Sequence, residues 1–147
     1  DGSSLLFTGT PEAFGGIGSR VKEGQIPNGF DIQLFRMDLS DRSVKPLTAD
    51  FNPSVSDAQW NVADGMIYAL TEDKDCRRIY RIDPSDGRVC AEVDCSGIYP
   101  RSQRRIEDDV LNGIAFDSTS GKIYLTGKNW PCLYEISIEG IRPGRRK

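Results

Sequence analysis

Residues 110–138 read VLNGIAFDSTSGKIYLTGKNWPCLYEISI, and their pattern recurs in the rest of the chain. They hold three short apolar runs, at residues 111–116, 122–126 and 132–138, and each is about as long as a β-strand. A polar turn at residues 117–121 and a Gly-Lys-Asn-Trp-Pro corner separate the runs, with glycine or proline at each break. The pattern predicts three antiparallel strands joined in sequence.

The same plan occurs twice more in the chain. Phe35, Tyr80 and Tyr134 hold corresponding places in three apolar runs, 45 and 54 residues apart. Several short strands in units of about 40 to 50 residues are typical of β-propeller blades. In residues 79–83, positions 80 and 82 should face one way and positions 79 and 81 the other, so both faces can pack. A hairpin turn followed by a strand is predicted within residues 1–9, and further strands are predicted at residues 31–39, 44–48, 56–60, 66–71, 77–83 and 88–93.

We therefore expect one all-β, β-propeller-like domain over residues 1–147, with about three blades of antiparallel strands. Blade 1 covers about residues 1–48, with an inserted loop at 10–30, and blade 2 covers about 56–93. A connection at 94–109 leads to blade 3 at about 110–138, and a tail follows at 139–147. The alternative is a generic antiparallel sandwich built from hairpins.

Three blades make an incomplete ring unless another chain completes it, because propellers usually close with about four or more blades. Exposed strand edges favour pairing with other chains. We therefore expect self-association, or a partner that covers the open blade edges. A start within what reads as a hairpin turn, without methionine, also favours a fragment.

Composition excludes several classes of protein. A net charge of −3 argues against a dedicated nucleic-acid binder, and the local basic runs are interpreted as a solvated connection and tail. No apolar run approaches the ~18 residues of a membrane span. With no histidine and no Cys-x-x-Cys, we expect no metal site. Both disulfides and free thiols remain open for the four cysteines, which are Cys76, Cys90, Cys95 and Cys132.

One glycine-rich motif has two interpretations. Gly16-Ile17-Gly18 has the spacing of a phosphate-binding loop, but that function needs a strand before the glycines and a helix after them. No helical pattern follows, which favours a flexible insertion.

Separated motifs in the second half resemble a known family. They are Val93-Asp94 with Ser96-Gly97, VLNGIAFD at residues 110–117, and TGKNWP at 126–131 followed by Leu133-Tyr134-Glu135. Over about residues 91–138 the chain resembles the plant and bacterial type of glutaminyl cyclotransferase, a β-propeller enzyme. The resemblance implies cyclisation of an N-terminal glutamine to pyroglutamate with release of ammonia. It also implies a peptide substrate, no zinc or other cofactor, and an extracytoplasmic, secreted or periplasmic, location.

The resemblance also assigns site residues. Lys128 matches the lysine of the family's Thr-Gly-Lys and is implied to be catalytic, whereas a solvated turn lysine is the alternative. Asn112, Asn129 and Trp130 are implied to bind substrate, with Asn112 as a donor; a packed corner is the alternative for Trp130. Such chemistry needs an acid for the leaving ammonia and donors to the amide oxygen.

The sequence departs from that family at its acidic residue. The family places it in a Tyr-Glu-Ser-Thr-Gly-like motif, which this sequence lacks, and Glu12 and Glu72 stand in other contexts. The sequence alone therefore does not predict a complete cyclisation site.

The first half resembles a different family. Residues 1–89 are similar to the propeller domain of bacterial prolyl oligopeptidase-family serine peptidases, in LFTG at 6–9, PEAFGGIG at 11–18, QLF at 33–35 and PLT at 46–48. With no histidine and no Gly-x-Ser-x-Gly, that resemblance implies a non-catalytic gating or interaction module. A change of family between residues 77 and 96 would indicate a chimera, and distant homology among all propeller blades is the alternative. A third interpretation is a fragment or engineered scaffold without activity.

Overall fold

The computed structural model describes residues 2–10, 32–49, 54–72, 77–106 and 109–138. Within these ranges the regular structure is β, apart from one 3₁₀ helix at Arg101–Gln103. The strands form three antiparallel sheets, and in each of them strands that are consecutive in the sequence are neighbours.

The first sheet contains β1 (Ser4–Gly9), β2 (Gln33–Asp38) and β3 (Val44–Pro46). The second contains β4 (Ser54–Asn61), β5 (Met66–Glu72), β6 (Arg77–Ile82) and β7 (Val89–Asp94). The third contains β8 (Leu111–Asp117), β9 (Lys122–Gly127) and β10 (Tyr134–Ile136).

Tight turns join the strands where the sequence predicts them. Gly65 and Gly121 each have φ of 74°, a conformation that glycine adopts without steric cost. Their N–H groups donate to the carbonyls of Asn61 and Asp117, each at 2.8 Å. Gly87 closes the β6–β7 turn in the same way, with φ of 82°. The predicted turn at 117–121 is confirmed, and the turns that contain Gly65 and Gly87 join the strands of the second sheet.

The second sheet lies between the other two and packs on both of its faces. Ile67 and Ala69 of β5 join an apolar cluster with the first sheet, whereas Tyr68 and Leu70 join a cluster with the third. β6 alternates as predicted, because Tyr80 and Ile82 belong to the first cluster and Ile79 to the second. The third sheet contributes Leu111, Ile114, Ile123 and Leu125 to the second cluster.

Packing between sheets is centred on β4, which lies against β1 and β2 on one side and β8 on the other. A two-layer sandwich has no middle sheet of this kind, whereas a propeller blade packs on both of its neighbours. The fold is therefore all-β and propeller-like, as predicted.

Some strand bounds differ from the predicted ones. β3 ends at Pro46 rather than at residue 48, because the hydroxyl of Thr48 accepts the N–H of Leu34 at 2.8 Å in place of a backbone partner. β10 covers only Tyr134–Ile136 of the predicted 132–138, and β4 is longer than its predicted 56–60.

The connection at 94–109 is not only a solvated segment. Arg101 and Arg105 are exposed, but Cys95, Tyr99 and Asp109 are buried. Cys90, Cys95 and Cys132 are free thiols, and Cys76 lies outside the described residues. Gly16–Gly18, nearly all of the inserted loop and the tail at 139–147 also lie outside them.

Candidate functional site

The second and third sheets have a loop end and a turn end. At the loop end β4 and β8 begin and β5 and β9 end, as the pairs Ser54–Glu72 and Leu111–Gly127 show. At the turn end the tight turns after β4 and β8 line one shared groove. Longer connections meet at the loop end, and binding residues concentrate on such loops.

All four predicted site residues lie at the loop end of the third sheet. Asn112 is the second residue of β8, and Lys128, Asn129 and Trp130 follow directly after β9. The N–H of Lys128 donates to the carbonyl of Val110 at 2.9 Å, which holds the two chain segments together. The structure thus brings together residues that are 16 to 18 positions apart in the sequence.

Asn112 occupies a β-bulge. The pairing of β8 with β9 shifts between Leu111 and Gly113, so Asn112 has no partner opposite it, and it is exposed. A bulge redirects a side chain away from the regular alternation of the strand. The pairing of β4 with β5 shifts in the same way between Val55 and Asp57, so exposed Ser56 occupies the equivalent position of the second sheet.

The corner after β9, residues 127–131, has a specific backbone. Asn129 has φ of 58°, in the left-handed region that asparagine tolerates better than most residues. The N–H of Trp130 donates to the carbonyl of Gly127 at 3.2 Å, so the indole folds back over Gly127. A Cβ at position 127 would overlap that indole, and therefore only glycine fits there. We call residues 127–131 the Trp130 corner.

Trp130 is packed between two tyrosines. Its ring centroid lies 5.1 Å from that of Tyr99 and 5.5 Å from that of Tyr134, which it meets edge-on at 89°. The indole N–H donates to the carbonyl of Asp109 at 3.1 Å. Trp130 is therefore packed within this corner and is half-buried, and its predicted contact with substrate stays a prediction.

Asp109 is the residue that the sequence reasoning missed. It is 1% exposed, and its carboxylate accepts the N–H groups of Arg105 at 2.8 Å and Ile106 at 3.4 Å. It also accepts the side-chain amide of Asn129 at 3.2 Å. The N–H of Arg105, ahead of the other donors, lowers the pKa of Asp109. The available signal was an aspartate two residues before an apolar strand, which alone is not specific.

Lys128 and Asn112 supply the donor chemistry of this end. Both are exposed, and an ammonium and a carboxamide can donate to a carbonyl oxygen. In the same corner Trp130 and Tyr134 are half-buried and offer an aromatic surface, and buried Tyr99 packs against Trp130. The arrangement suits a small polar group that carries an apolar stem.

The groove at the turn end is a different feature. It has a volume of about 230 Å³, and Asn61, Asp64, Tyr68, Lys122 and Glu135 are among its lining residues. The carboxylate of Asp64 already accepts the hydroxyl of Tyr68 at 2.8 Å and Nε of Arg81 at 3.2 Å. None of the four predicted site residues lines this groove, and its central carboxylate has internal partners, so we place the candidate site at the loop end.

The described ranges contain neither a cluster of metal-binding side chains nor a helix that could cross a membrane. No group of three or more histidine, cysteine, aspartate or glutamate side chains is placed there to hold a metal ion. The same part of the chain contains no helix long and apolar enough to cross a membrane. Of the two glutamates considered from the sequence, Glu12 lies outside the described residues and Glu72 is the last residue of β5, at the loop end.

Comparison with known proteins relates the chain to one family. A family model described as glutamine cyclotransferase matches residues 51–138. The chain is also similar to a glutaminyl-peptide cyclotransferase of Arabidopsis thaliana, with 39% identity over 77 residues. That alignment covers 50% of this chain and 23% of the relative, so the chain spans less than a quarter of that protein.

The family match bears on the two resemblances. It includes all four predicted site residues and supports the cyclotransferase resemblance. It runs without a break through residues 77–96, so it gives no support to a change of family there. The peptidase resemblance stays a prediction for the residues before 51.

Proposed function

Because the chain belongs to the glutamine cyclotransferase family, we propose that it acts on peptides with an N-terminal glutamine. The site is the loop end of the third sheet. One observation carries the proposal: the bulge at Asn112 and the Trp130 corner with Lys128 lie side by side within the matched region. They combine donors to an amide with an aromatic surface.

The reaction sets clear demands on the site. The α-amine attacks the side-chain amide carbon, a C–N bond closes a five-membered lactam, and the bond to the amide nitrogen breaks to release ammonia. The proton that the α-amine loses must reach the leaving nitrogen, and the amide oxygen gains negative charge on the way. Donors aimed at that oxygen lower the barrier.

Lys128 is assigned the donor role at the reacting amide. An ammonium offers three N–H donors and a positive charge, which stabilises a developing oxyanion or protonates a departing amine. Asn112, whose bulge directs it out of the strand, is assigned to hold the amide from the other side. Both residues are exposed, so a substrate can reach them.

Trp130 is assigned to the methylene groups of the glutamine side chain. Tyr99 and Tyr134 hold the indole in place, so it loses little freedom when substrate binds. The predicted contact of Asn129 with substrate remains a prediction, because the contact described for its amide is with Asp109.

Turnover also requires a proton acceptor for the α-amine. The family's acidic motif is absent from this sequence. Of Glu12 and Glu72, Glu72 is the one within the described residues, and it is the last residue of β5, at the loop end. Binding and turnover are therefore measured separately. Substitution Glu72→Gln tests whether that residue takes part.

The assay follows ammonia release and lactam formation on a short peptide with N-terminal glutamine. We expect Lys128→Ala to abolish turnover while circular dichroism shows an unchanged fold. Lys122→Ala is the matched control, because Lys122 is an exposed lysine at the other end of β9, paired with Glu135 at 2.9 Å. Unchanged turnover in Lys128→Ala would exclude the role of Lys128, and a wild-type chain that neither binds nor converts the peptide would exclude the function.

The expected self-association also remains a proposal. Light scattering behind a sizing column at several protein concentrations measures it. A discrete oligomer would support blades that complete a ring between chains, whereas a stable monomer would count against it.

A further inference from the structure

We propose that Asp109 is a positioning residue, which sets the geometry of the Trp130 corner and thereby of Lys128. The proposal rests on the function proposed above, because it concerns the same site. It does not require Asp109 to touch substrate.

Asp109 forms hydrogen bonds with two segments, the connection before β8 and the Trp130 corner. One carboxylate oxygen, Oδ2, accepts from the backbone N–H groups of Arg105 and Ile106 in the connection before β8. The other, Oδ1, accepts from the Asn129 amide, and the backbone carbonyl accepts from the indole of Trp130. Side chain and main chain of a single buried residue thus hold both residues that follow Lys128.

The contacts require a carboxylate. Both oxygens of an ionised aspartate accept hydrogen bonds, and here each faces an N–H donor. An asparagine has only one oxygen, so its NH₂ group would face either the connection or the amide of Asn129. Substitution Asp109→Asn therefore breaks one contact while it keeps the size of the side chain.

The loss of an Asp109 contact would affect the position of Lys128, because hydrogen bonds hold both Lys128 and the residue after it. The N–H of Lys128 is bonded to the carbonyl of Val110, the neighbour of Asp109, and the next residue, Asn129, is bonded to the Asp109 carboxylate. If Asn129 is released from its left-handed conformation, the backbone that carries Lys128 shifts. A displacement of about 1 Å at a catalytic group can cost roughly 100-fold in rate.

The test compares three variants with the wild-type chain: Asp109→Asn, the exchange Asp109→Asn with Asn129→Asp, and Asp117→Asn. The exchange restores a donor opposite an acceptor, because the amide at 109 can donate to a carboxylate at 129 and still accept from Arg105. Asp117→Asn is the matched control, since Asp117 caps a turn at the other end of β8 by accepting from Thr119.

Two readouts are used. The chain has two tryptophans, so its NMR spectrum shows two indole N–H signals, and a Trp60→Phe variant assigns them. We expect Asp109→Asn to move the Trp130 signal and to lower kcat roughly 10- to 100-fold with a smaller change in KM. The exchange should return the Trp130 signal toward wild type, and Asp117→Asn should change neither the Trp130 signal nor kcat.

The outcomes separate this inference from the proposed function. If the wild-type chain shows no activity, the proposed function fails, and the indole signal still decides the role of Asp109 in the corner. An unmoved signal in folded Asp109→Asn, or an exchange that restores nothing, overturns the inference. If Asp109→Asn does not fold, Asn129→Ala breaks the same bond from the solvent side, and an unmoved Trp130 signal there also overturns it.

Discussion

Asp57 in β4 accepts a hydrogen bond from the backbone N–H of Ile114 in β8, with 3.2 Å between Oδ2 and the nitrogen. The bond crosses from the second sheet to the third, beside an apolar cluster that the two sheets share. The other carboxylate oxygen of Asp57, Oδ1, accepts the N–H of Ala58 at 2.8 Å. Because Ile114 is two residues after the bulge at Asn112, this contact helps to set where the bulge stands relative to β4.

Removal of the Asp57 side chain should loosen the two sheets. We expect Asp57→Ala to lower the free energy of unfolding by about 1–3 kcal/mol, since a partly buried N–H at Ile114 loses its partner. Asp57→Asn keeps one oxygen acceptor and should lose less. Urea unfolding of the three proteins measures the difference, and equal losses in both variants would show that the bond to Ile114 does not matter.

Of the two turn glycines Gly65 and Gly87, Gly87 should lose more stability when a methyl group is added. Its φ is 82°, and a Cβ there would overlap the carbonyl oxygen of Leu47 at the edge of the first sheet. Gly65 is the matched control, because it has φ of 74° and nothing within 4 Å of its Cβ position. Gly65→Ala should cost only the left-handed conformation, roughly 1–2 kcal/mol, and Gly87→Ala clearly more. Similar thermal midpoints for both variants would contradict the docking of this turn on Leu47.

Most of the strands could be predicted from the sequence, because local alternation and turn residues determine them. Residues 79–83 alternate in the structure as in the prediction, and glycine turns close the hairpins where expected. The end of β3 could not be predicted in this way. The Thr48 hydroxyl replaces a backbone partner across 14 residues, and no local pattern encodes such a bond.

The candidate site was predicted only in part. Lys128, Asn112 and Trp130 come from the family resemblance, and the structure places them at one end of the third sheet. The bulge at Asn112 depends on the register between two strands, which the residue types of one strand do not determine. Asp109 was missed because its importance arises from two donors together, Arg105 in the same connection and Asn129, which is 20 residues away in the sequence.

The close fit of Trp130 over Gly127 gives a prediction for the site. Gly127→Ala should displace the indole, because an added methyl group would occupy its place. We expect a shift of the Trp130 fluorescence toward longer wavelength and weaker binding of the glutamine peptide. Gly97→Ala is the control, since nothing lies within 4 Å of its Cβ position. A Gly127→Ala variant with unchanged fluorescence and binding would contradict this packing.

Stability should fall at alkaline pH through Tyr68. Burial, and then its hydrogen bond to Asp64, raises the pKa of Tyr68 from 10.0 to about 12. The folded chain therefore keeps a proton that the unfolded chain loses, so this stabilisation is complete below pH 10 and is lost as the pH rises to about 12.

Urea unfolding at about pH 9 and about pH 11 measures this loss. Tyr68→Phe should be less stable at the lower pH but should lose less stability between the two values. Cys95, whose pKa burial raises to about 11, is present in both proteins, so the difference reports Tyr68. An equal loss of stability in the wild-type chain and in Tyr68→Phe between the two pH values would show that Tyr68 does not cause the loss.

We propose that the loop end of the third sheet binds an N-terminal glutamine. The most direct measurement is a titration of the isotope-labelled chain with a glutamine peptide, followed by NMR, and a second titration with the same peptide whose first residue is glutamate. We predict that the glutamine peptide shifts the signals of Asn112, Lys128 and the Trp130 indole, and that the glutamate peptide shifts them less. Shifts confined to the turn-end groove around Asp64 and Lys122, or no shifts at all, would contradict the claim.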